Sequence, residues 1–215
     1  MAHLSEDPVL VESFRKGEDI HERTAREVFG ADSGLDPYEQ RRRAKVINFG
    51  IMYGLSAFGL ARGLKIDRKE AQAFIEDYFD RYRGVQAWIE ATTRSVRAEG
   101  FVTTLFGRIR PIPEIHSRNW NSREFARRTA INAPIQGTAA DLIKMAMVAI
   151  YDRLAAEHRR SRLILQVHDE LVFEAAAEEL DEMRELVRTE MEGVVSLKVP
   201  LRVDIGEGPT WYDAK

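Results

Sequence analysis

Apolar positions in the first hundred residues recur mainly at helical spacing. Asp7-Pro8 predicts a short helix to about Arg15, ended by Gly17, and Asp19 can cap a second that runs to Phe29 before Gly30. Asp36-Pro37-Tyr38-Glu39 combines an acidic cap, proline at the first helical position and glutamate at the third, so a longer helix should begin at Pro37 and stop at Gly54. Ser56 to Arg62 reads as a short helix closed by Gly63. Asp67 opens another, with Ala71, Phe74, Ile75, Tyr78 and Phe79 on one face. Gly84 is read as its break, and Val85 to Glu99 follows around Val85, Trp88, Ile89 and Val96, with Gly100 just past its end.

Beyond Gly100 the period changes. Phe101 to Leu105, turned by Gly107 into Arg108-Ile109-Arg110-Pro111, predicts a basic hairpin or loop. Ser117 to Ile131 is helical and rich in arginine, and Pro134 is expected to separate it from a long helix from about Ile135 to Glu157. Leu163 to Val167 and Leu171 to Glu174 read as strands joined by His168-Asp169-Glu170, a hairpin with two acids near its tip held by apolar strands. Glu178 to Met191 is expected to be a last helix and Val199 to Ile205 a last strand. The fold class is α+β, mostly helical, with a helical part followed by part of an antiparallel sheet.

Composition narrows the chemistry. The 215 residues are 44% hydrophobic and 31% charged with a net charge of −3, ordinary for a globular chain. With no cysteine, disulfides, thiolate metal sites and thiol nucleophiles are excluded, and any metal ligands must be carboxylates or histidines. No apolar run nears the roughly 20 residues of a membrane helix, and no signal pattern opens the chain, so a cytoplasmic location without membrane contact is expected. The charge is uneven. Between Arg81 and Ala130, ten Arg stand against four Glu; from Asp169 to Lys215, thirteen acids stand against five bases. A basic middle and an acidic end are compatible with a nucleic-acid surface beside a metal-binding or solvated region, and equally with surface variation.

One stretch carries candidate chemistry. Arg41, Lys45, Phe49 and Tyr53 step by four residues, drifting about 40° at each step, and so share a helix stripe that is cationic first and aromatic second. Phosphates would suit one end and a planar ring the other. Spacing alone also fits a solvated arginine cluster with Phe49 and Tyr53 in the core. A second polar stripe, Arg128, Asn132 and Gln136, recurs four apart and needs partners, whether helix-helix hydrogen bonds or a ligand.

Three separated motifs lift the ambiguity: Arg41-Arg42-x-x-Lys45-x-x-x-Phe49-Gly50-x-x-Tyr53-Gly54, Gln136-Gly137-Thr138-Ala139-Ala140-Asp141, and Gln166-Val167-His168-Asp169-Glu170. In this order they resemble the fingers-helix and palm motifs of family A DNA polymerases, the bacterial DNA polymerase I group. Phe14-x-x-Gly17-x-Asp19-Ile20-His21, Leu105-Phe106-Gly107-Arg108 and Val199-Pro200-Leu201 agree with that family too.

The resemblance implies a fingers subdomain over residues 1–115, with 1–7 as the tail of a palm motif, and the C-terminal part of a palm over 116–215. It implies a DNA-directed DNA polymerase that joins a dNTP to a primer 3′-OH. Arg41 and Lys45 are implied to grip the β- and γ-phosphates of the dNTP, with His21 nearby, Phe49 against sugar and base, and Tyr53 near the template side. Lacking a hydroxyl, Phe49 implies poor use of dideoxynucleotides. Arg128, Asn132, Gln136 and His168 are implied to lie at primer-template DNA near the active site, and Arg108 at its phosphates. Asp169, with Glu170 beside it, is implied to ligate Mg²⁺. The family's other metal carboxylate sits in an Asp-Tyr-Ser-Gln-Ile-Glu-Leu-Arg segment that this chain does not contain. The fragment is therefore expected to be inactive alone and to self-associate through exposed sheet edges. A non-catalytic nucleotide- or DNA-binding module, a truncated gene product and a fragment of a single-subunit RNA polymerase stand as alternatives.

Overall fold

The computed structural model describes residues 1–29 and 34–214. The expected stop at Gly30 lies outside them. The chain is α+β and mainly helical, and it divides into two compact units, residues 1–136 and 137–215.

The first unit holds α1 (Ala2–Ser5), α2 (Pro8–Lys16), α3 (Ile20–Phe29), α4 (Pro37–Met52), α5 (Ala57–Leu64), α6 (Arg68–Arg81) and α7 (Arg83–Glu99). Short side chains start most of them. Asp7, Asp36, Ser56 and Asp67 each accept an amide of the first turn from outside the helix, and Asp19 does the same for His21 and Glu22. Strands β1 (Phe101–Thr103) and β2 (Ile109–Pro111) form the expected antiparallel hairpin, with Val102 opposite Arg110. Val96, Val102, Ile112, Ile115, Ala126, Ala130 and Ala133 close a core beneath that hairpin.

Several expected breaks fall elsewhere. Gly84 lies inside α7, and the true break is at Tyr82. Glycine is required there because a Cβ would stand 2.7 Å from the Cα of Asp7, whose Oδ2 accepts the Gly84 amide at 2.8 Å. Gly63 does not close α5; Lys65 does, in the left-handed region at φ 56°. Pro134 does not divide the arginine-rich helix from its successor, since α8 runs unbroken from Trp120 to Ala156. Proline removes the bond to the Ala130 carbonyl and crowds it, at a cost of about 3 kcal/mol. Burial of Ala126, Ala130, Ile131 and Ala133 offsets that cost.

In the second unit, β3 (Arg162–Val167) and β4 (Glu170–Glu174) pair antiparallel, with a register shift between Leu163 and Leu165. A 3₁₀ turn, Ala177–Glu179, leads into α9 (Leu180–Glu192). Ile150 and Leu154 of α8 pack with Met183, Leu186 and Val187 of α9, and Leu171 and Phe173 lean on that cluster. The strand expected over Val199 to Ile205 is not formed: the backbone from 201 to 208 has no regular secondary structure. Pro200 removes a donor at its start, and the Val203 amide bonds to Glu192 Oε1 instead of a neighbouring strand.

Candidate functional site

Helix α4 buries Ala44, Ile47, Asn48, Gly50 and Ile51 and so turns its other side outward. Arg41, Lys45, Phe49 and Tyr53 stand along that side. The Phe49 and Tyr53 rings lie 6.1 Å apart at an interplanar angle of 11°, and Lys45 Nζ is 6.0 Å from the centre of the Phe49 ring. Both aromatics keep more than a third of their surface exposed, at 37% and 38%, which sets them apart from core residues. The order is cation, cation, ring, ring.

Of the three adjacent arginines, two are committed within the helix. Arg42 Nε and Nη2 donate to the Glu39 carboxylate, each at 2.7 Å, and Arg43 Nε donates at 2.9 Å. These bonds hold the Glu39 carboxyl down at about 2. Arg41 reaches across to α3, where Nε and Nη2 donate to Asp19 Oδ2 at 3.1 and 2.7 Å. Burial pulls the Asp19 carboxyl up, but the Arg41 bond and the amides of Glu22 and His21 outweigh it, and the net shift is downward. The bond to Asp19 raises Arg41 in turn.

His21 sits beside this pair, its ring 5.6 Å from Phe49. Its Nδ1 is 3.0 Å from Nδ2 of Asn48. Burial, together with the cations of Arg41 and Lys45, lowers its pKa against the pull of Asp19. The structure thus brings together five residues singled out from sequence: His21, Arg41, Lys45, Phe49 and Tyr53.

Sequence reasoning missed what stands behind them. Asn48 and Thr24 are buried, their side chains 3.1 Å apart at Nδ2 and Oγ1, and Thr24 Oγ1 is 3.1 Å from the hydroxyl of fully buried Tyr82. Tyr82 donates to Glu27, which also accepts from Arg23 and Arg81. Burial pushes the Tyr82 hydroxyl up to about 12. The one sequence signal was a polar residue, Asn48, on the apolar side of α4.

The end of α4 packs onto α8. Gly54, at φ 67°, could not carry a side chain without crowding: a Cβ would lie 3.1 Å from Ile131 Cδ1 and 3.3 Å from Arg128 Cγ. Its carbonyl accepts Arg127 Nη2 at 3.2 Å. Along α8, Arg128 and Asn132 are half-buried and Gln136 is exposed. Asn132 Oδ1 is a buried acceptor without a hydrogen-bond partner. Beside Gly54 an open, mainly apolar cleft of about 570 Å³ is lined by Leu55, Phe58, Phe79 and Trp120, with Arg68 and Arg127. No sequence motif pointed to it. Arg108 is exposed in the β1–β2 turn, where its amide and Thr104 Oγ1 are 3.2 Å apart.

In the second unit, His168 and Asp169 form the two-residue turn between β3 and β4, and Glu170 pairs with Val167 at the start of β4. His168 has φ 54°, and its carbonyl accepts Gln166 Nε2 at 2.6 Å. The three side chains are exposed. The strands are less buried than their apolar sequence suggested, Ile164 being 55% exposed. Among the described residues no three His, Asp or Glu side chains cluster closely enough to hold a metal, and no helix is long and apolar enough to cross a membrane.

The family model for DNA polymerase family A matches residues 1–213. Over its full length the chain is 50% identical to the DNA polymerase I of Caldicellulosiruptor bescii and 49% identical to that of Bacillus subtilis. It spans about a quarter of those relatives, 25% and 24% of their lengths. Among solved structures, the POL domain of Pol1 from M. smegmatis, in complex with DNA primer-template and dNTP, matches 99% of this chain with a TM-score of 0.93 at 45% identity, this chain covering 38% of that one.

Proposed function

Because this chain belongs to DNA polymerase family A, we propose that it carries the nucleotide-selecting helix and part of the metal-binding carboxylate set, Asp169 and Glu170, of a DNA-directed DNA polymerase. The observation that carries this reading is the exposed order of Arg41, Lys45, Phe49 and Tyr53 along α4, with the two rings nearly parallel. Residues 1–115 serve as fingers and 116–215 as the C-terminal part of the palm.

Each residue has a task that its chemistry supports. Arg41 and Lys45 neutralise the β- and γ-phosphates, where charge accumulates as pyrophosphate departs. His21 adds a donor beside them. Phe49 lies against the sugar and base, and Tyr53 takes the template side, so that shape rather than base-edge reading selects the nucleotide. Arg128, Asn132 and Gln136 meet primer and template at minor-groove acceptors and phosphates, to which the Arg128 guanidinium and the Nδ2 and Nε2 amide nitrogens of Asn132 and Gln136 donate. His168 and Arg108 contact the backbone of the primer-template DNA.

Asp169 and Glu170 suit Mg²⁺, a hard cation bound through one or two carboxylates together with substrate phosphates and water. Ions held by Asp169 and Glu170 together with further donors would supply Lewis-acid stabilisation of the attacking and leaving oxygens of an in-line displacement. Two adjacent carboxylates supply only part of a two-metal set, so further donors are required, and the 215-residue chain alone is expected not to extend a primer. Template-dependent incorporation that disappears in Asp169→Ala would refute that expectation. The exposed β3–β4 hairpin also offers edges for self-association, which sedimentation at rising concentration would reveal.

The nucleotide site is tested by titrating the chain with a fluorescent dNTP at low salt in the presence of EDTA. Charge-assisted bonds contribute about 1.5–3 kcal/mol each, so Arg41→Ala and Lys45→Ala should each weaken binding by roughly tenfold or more, and Arg42→Ala by much less. Equal affinities for all three variants would refute the assignment.

A further inference from the structure

The buried hydrogen bonds behind α4 have a direction. A carboxylate only accepts, so the Tyr82 hydroxyl spends its proton on Glu27 Oε2, 3.1 Å away. The Thr24 hydroxyl proton then faces two acceptors, the Tyr82 oxygen at 3.1 Å and Asn48 Oδ1 at 3.2 Å, and in either case the Thr24 oxygen accepts from Asn48 Nδ2 at 3.1 Å. Asn48 Nδ2 has a second hydrogen, and His21 Nδ1 lies 3.0 Å from it. An amide nitrogen has no lone pair to offer, so His21 Nδ1 must accept.

We propose that Asn48 is a positioning residue that holds His21 as the neutral imidazole protonated on Nε2, making it a hydrogen-bond donor toward the triphosphate rather than a third cation. The proposal rests on the nucleotide reading of the site and specifies the chemical state of His21 within it. The chain of bonds runs from α3 to α4, back to α3 and on to Tyr82 at the α6–α7 junction. The tautomer is therefore tied to the packing of α3, α4 and the α6–α7 junction. The charged groups facing the ring are Asp19 on its own segment and Arg41 and Lys45 on α4. With two cations already in place, a neutral donor adds a directed bond without further repulsion among them.

Nitrogen-15 NMR of the imidazoles in the 215-residue chain reads this directly. At pH 7, His21 should be neutral with its proton on Nε2; a proton on Nδ1, or an imidazolium, would overturn the proposal whether or not nucleotide binds. Asn48→Asp replaces a donor by an acceptor and should transfer the proton to Nδ1 and shift the His21 titration upward by a unit or more. The pH profile of dATP affinity should move with it, while an unchanged tautomer would again overturn the proposal. The wild-type measurement needs no substitution, so a poorly folding variant does not decide the matter. In a separate arm, both His21→Gln and His21→Leu should weaken dATP binding, the Leu variant several-fold more because it offers no N–H donor; equal losses would overturn the donor role. If the tautomer is as assigned but dATP binds nowhere, the nucleotide reading fails rather than the assignment of the proton.

Discussion

One carboxylate joins α3 to α4: Asp19 Oδ1 accepts the amides of His21 and Glu22 at 2.8 and 3.1 Å, while its Oδ2 accepts Arg41 Nε and Nη2 at 3.1 and 2.7 Å. The group that starts the His21 helix is thus the group that holds the first cation of the α4 stripe. Geometry at His21 and at Arg41 cannot be changed independently through this residue.

Asp19→Ala should therefore cost about 1 kcal/mol through the lost cap, with Arg41 released as well. The urea midpoint measures it. The pH dependence follows from the lowered carboxyl. The unfolded chain binds a proton near the ordinary value of about 3.9, and the folded chain only below it. The contribution is complete above that ordinary value and is lost as pH falls through the lower folded one. Acid unfolding of the Ala variant should accordingly show a shallower loss of stability below about pH 4.

Gly84→Ala should destabilise although it removes a glycine from a helix, where alanine ordinarily gains about 0.5–1 kcal/mol. The added Cβ would meet Asp7 Cα at 2.7 Å and Cβ at 2.9 Å. Backbone cannot yield as a flexible side chain does, so α2 and α7 must separate, and overpacking of this kind costs about 1–3 kcal/mol. A midpoint in denaturant equal to or above wild type would show that the two helices have more room than their geometry indicates.

Elements that announce themselves locally were legible in the sequence. Asp7, Asp36 and Asp67 start helices because a short carboxylate next to a helical run has a nearby amide to satisfy, and that depends on nothing distant. What failed was local reasoning about residues whose role is tertiary. Gly84 looks like a break in a local window because its requirement comes from Asp7, 77 residues away. Pro134 looks like one because the burial of Ala130 and Ile131 that sustains α8 is not visible in a window around it. A strand over Val199 to Ile205 needs a neighbouring strand, which β-branched residues do not supply by themselves. In the candidate site the exposed stripe was legible by its four-residue spacing. The Thr24–Asn48–Tyr82 bonds were not, since they span 24 and 58 positions and carry no period.

Asn132→Leu should separate stability from function. Asn132 Oδ1 is buried and unpartnered, and an unsatisfied buried acceptor costs about 1–3 kcal/mol. An apolar side chain of similar volume removes that cost, so thermal unfolding should shift upward. If the amide serves primer-template DNA, affinity for a duplex with a recessed end should fall in the same variant. Lower stability with unchanged DNA affinity would show the amide to be a packing residue.

His168→Gly addresses the turn that presents Asp169. At φ 54°, His168 occupies the left-handed region, where an L side chain costs about 1–2 kcal/mol. Glycine removes that strain but adds freedom to the unfolded chain, so the net gain in stability should be modest, up to about 1 kcal/mol. The same freedom loosens the turn, held now by the 2.6 Å bond from Gln166 Nε2 to the His168 carbonyl. Weak Mn²⁺ binding, followed by paramagnetic broadening of the Asp169 and Glu170 resonances, should therefore decline even as the melting temperature rises. Broadening that persists at wild-type Mn²⁺ concentrations would show that the carboxylates need no left-handed residue to be presented together.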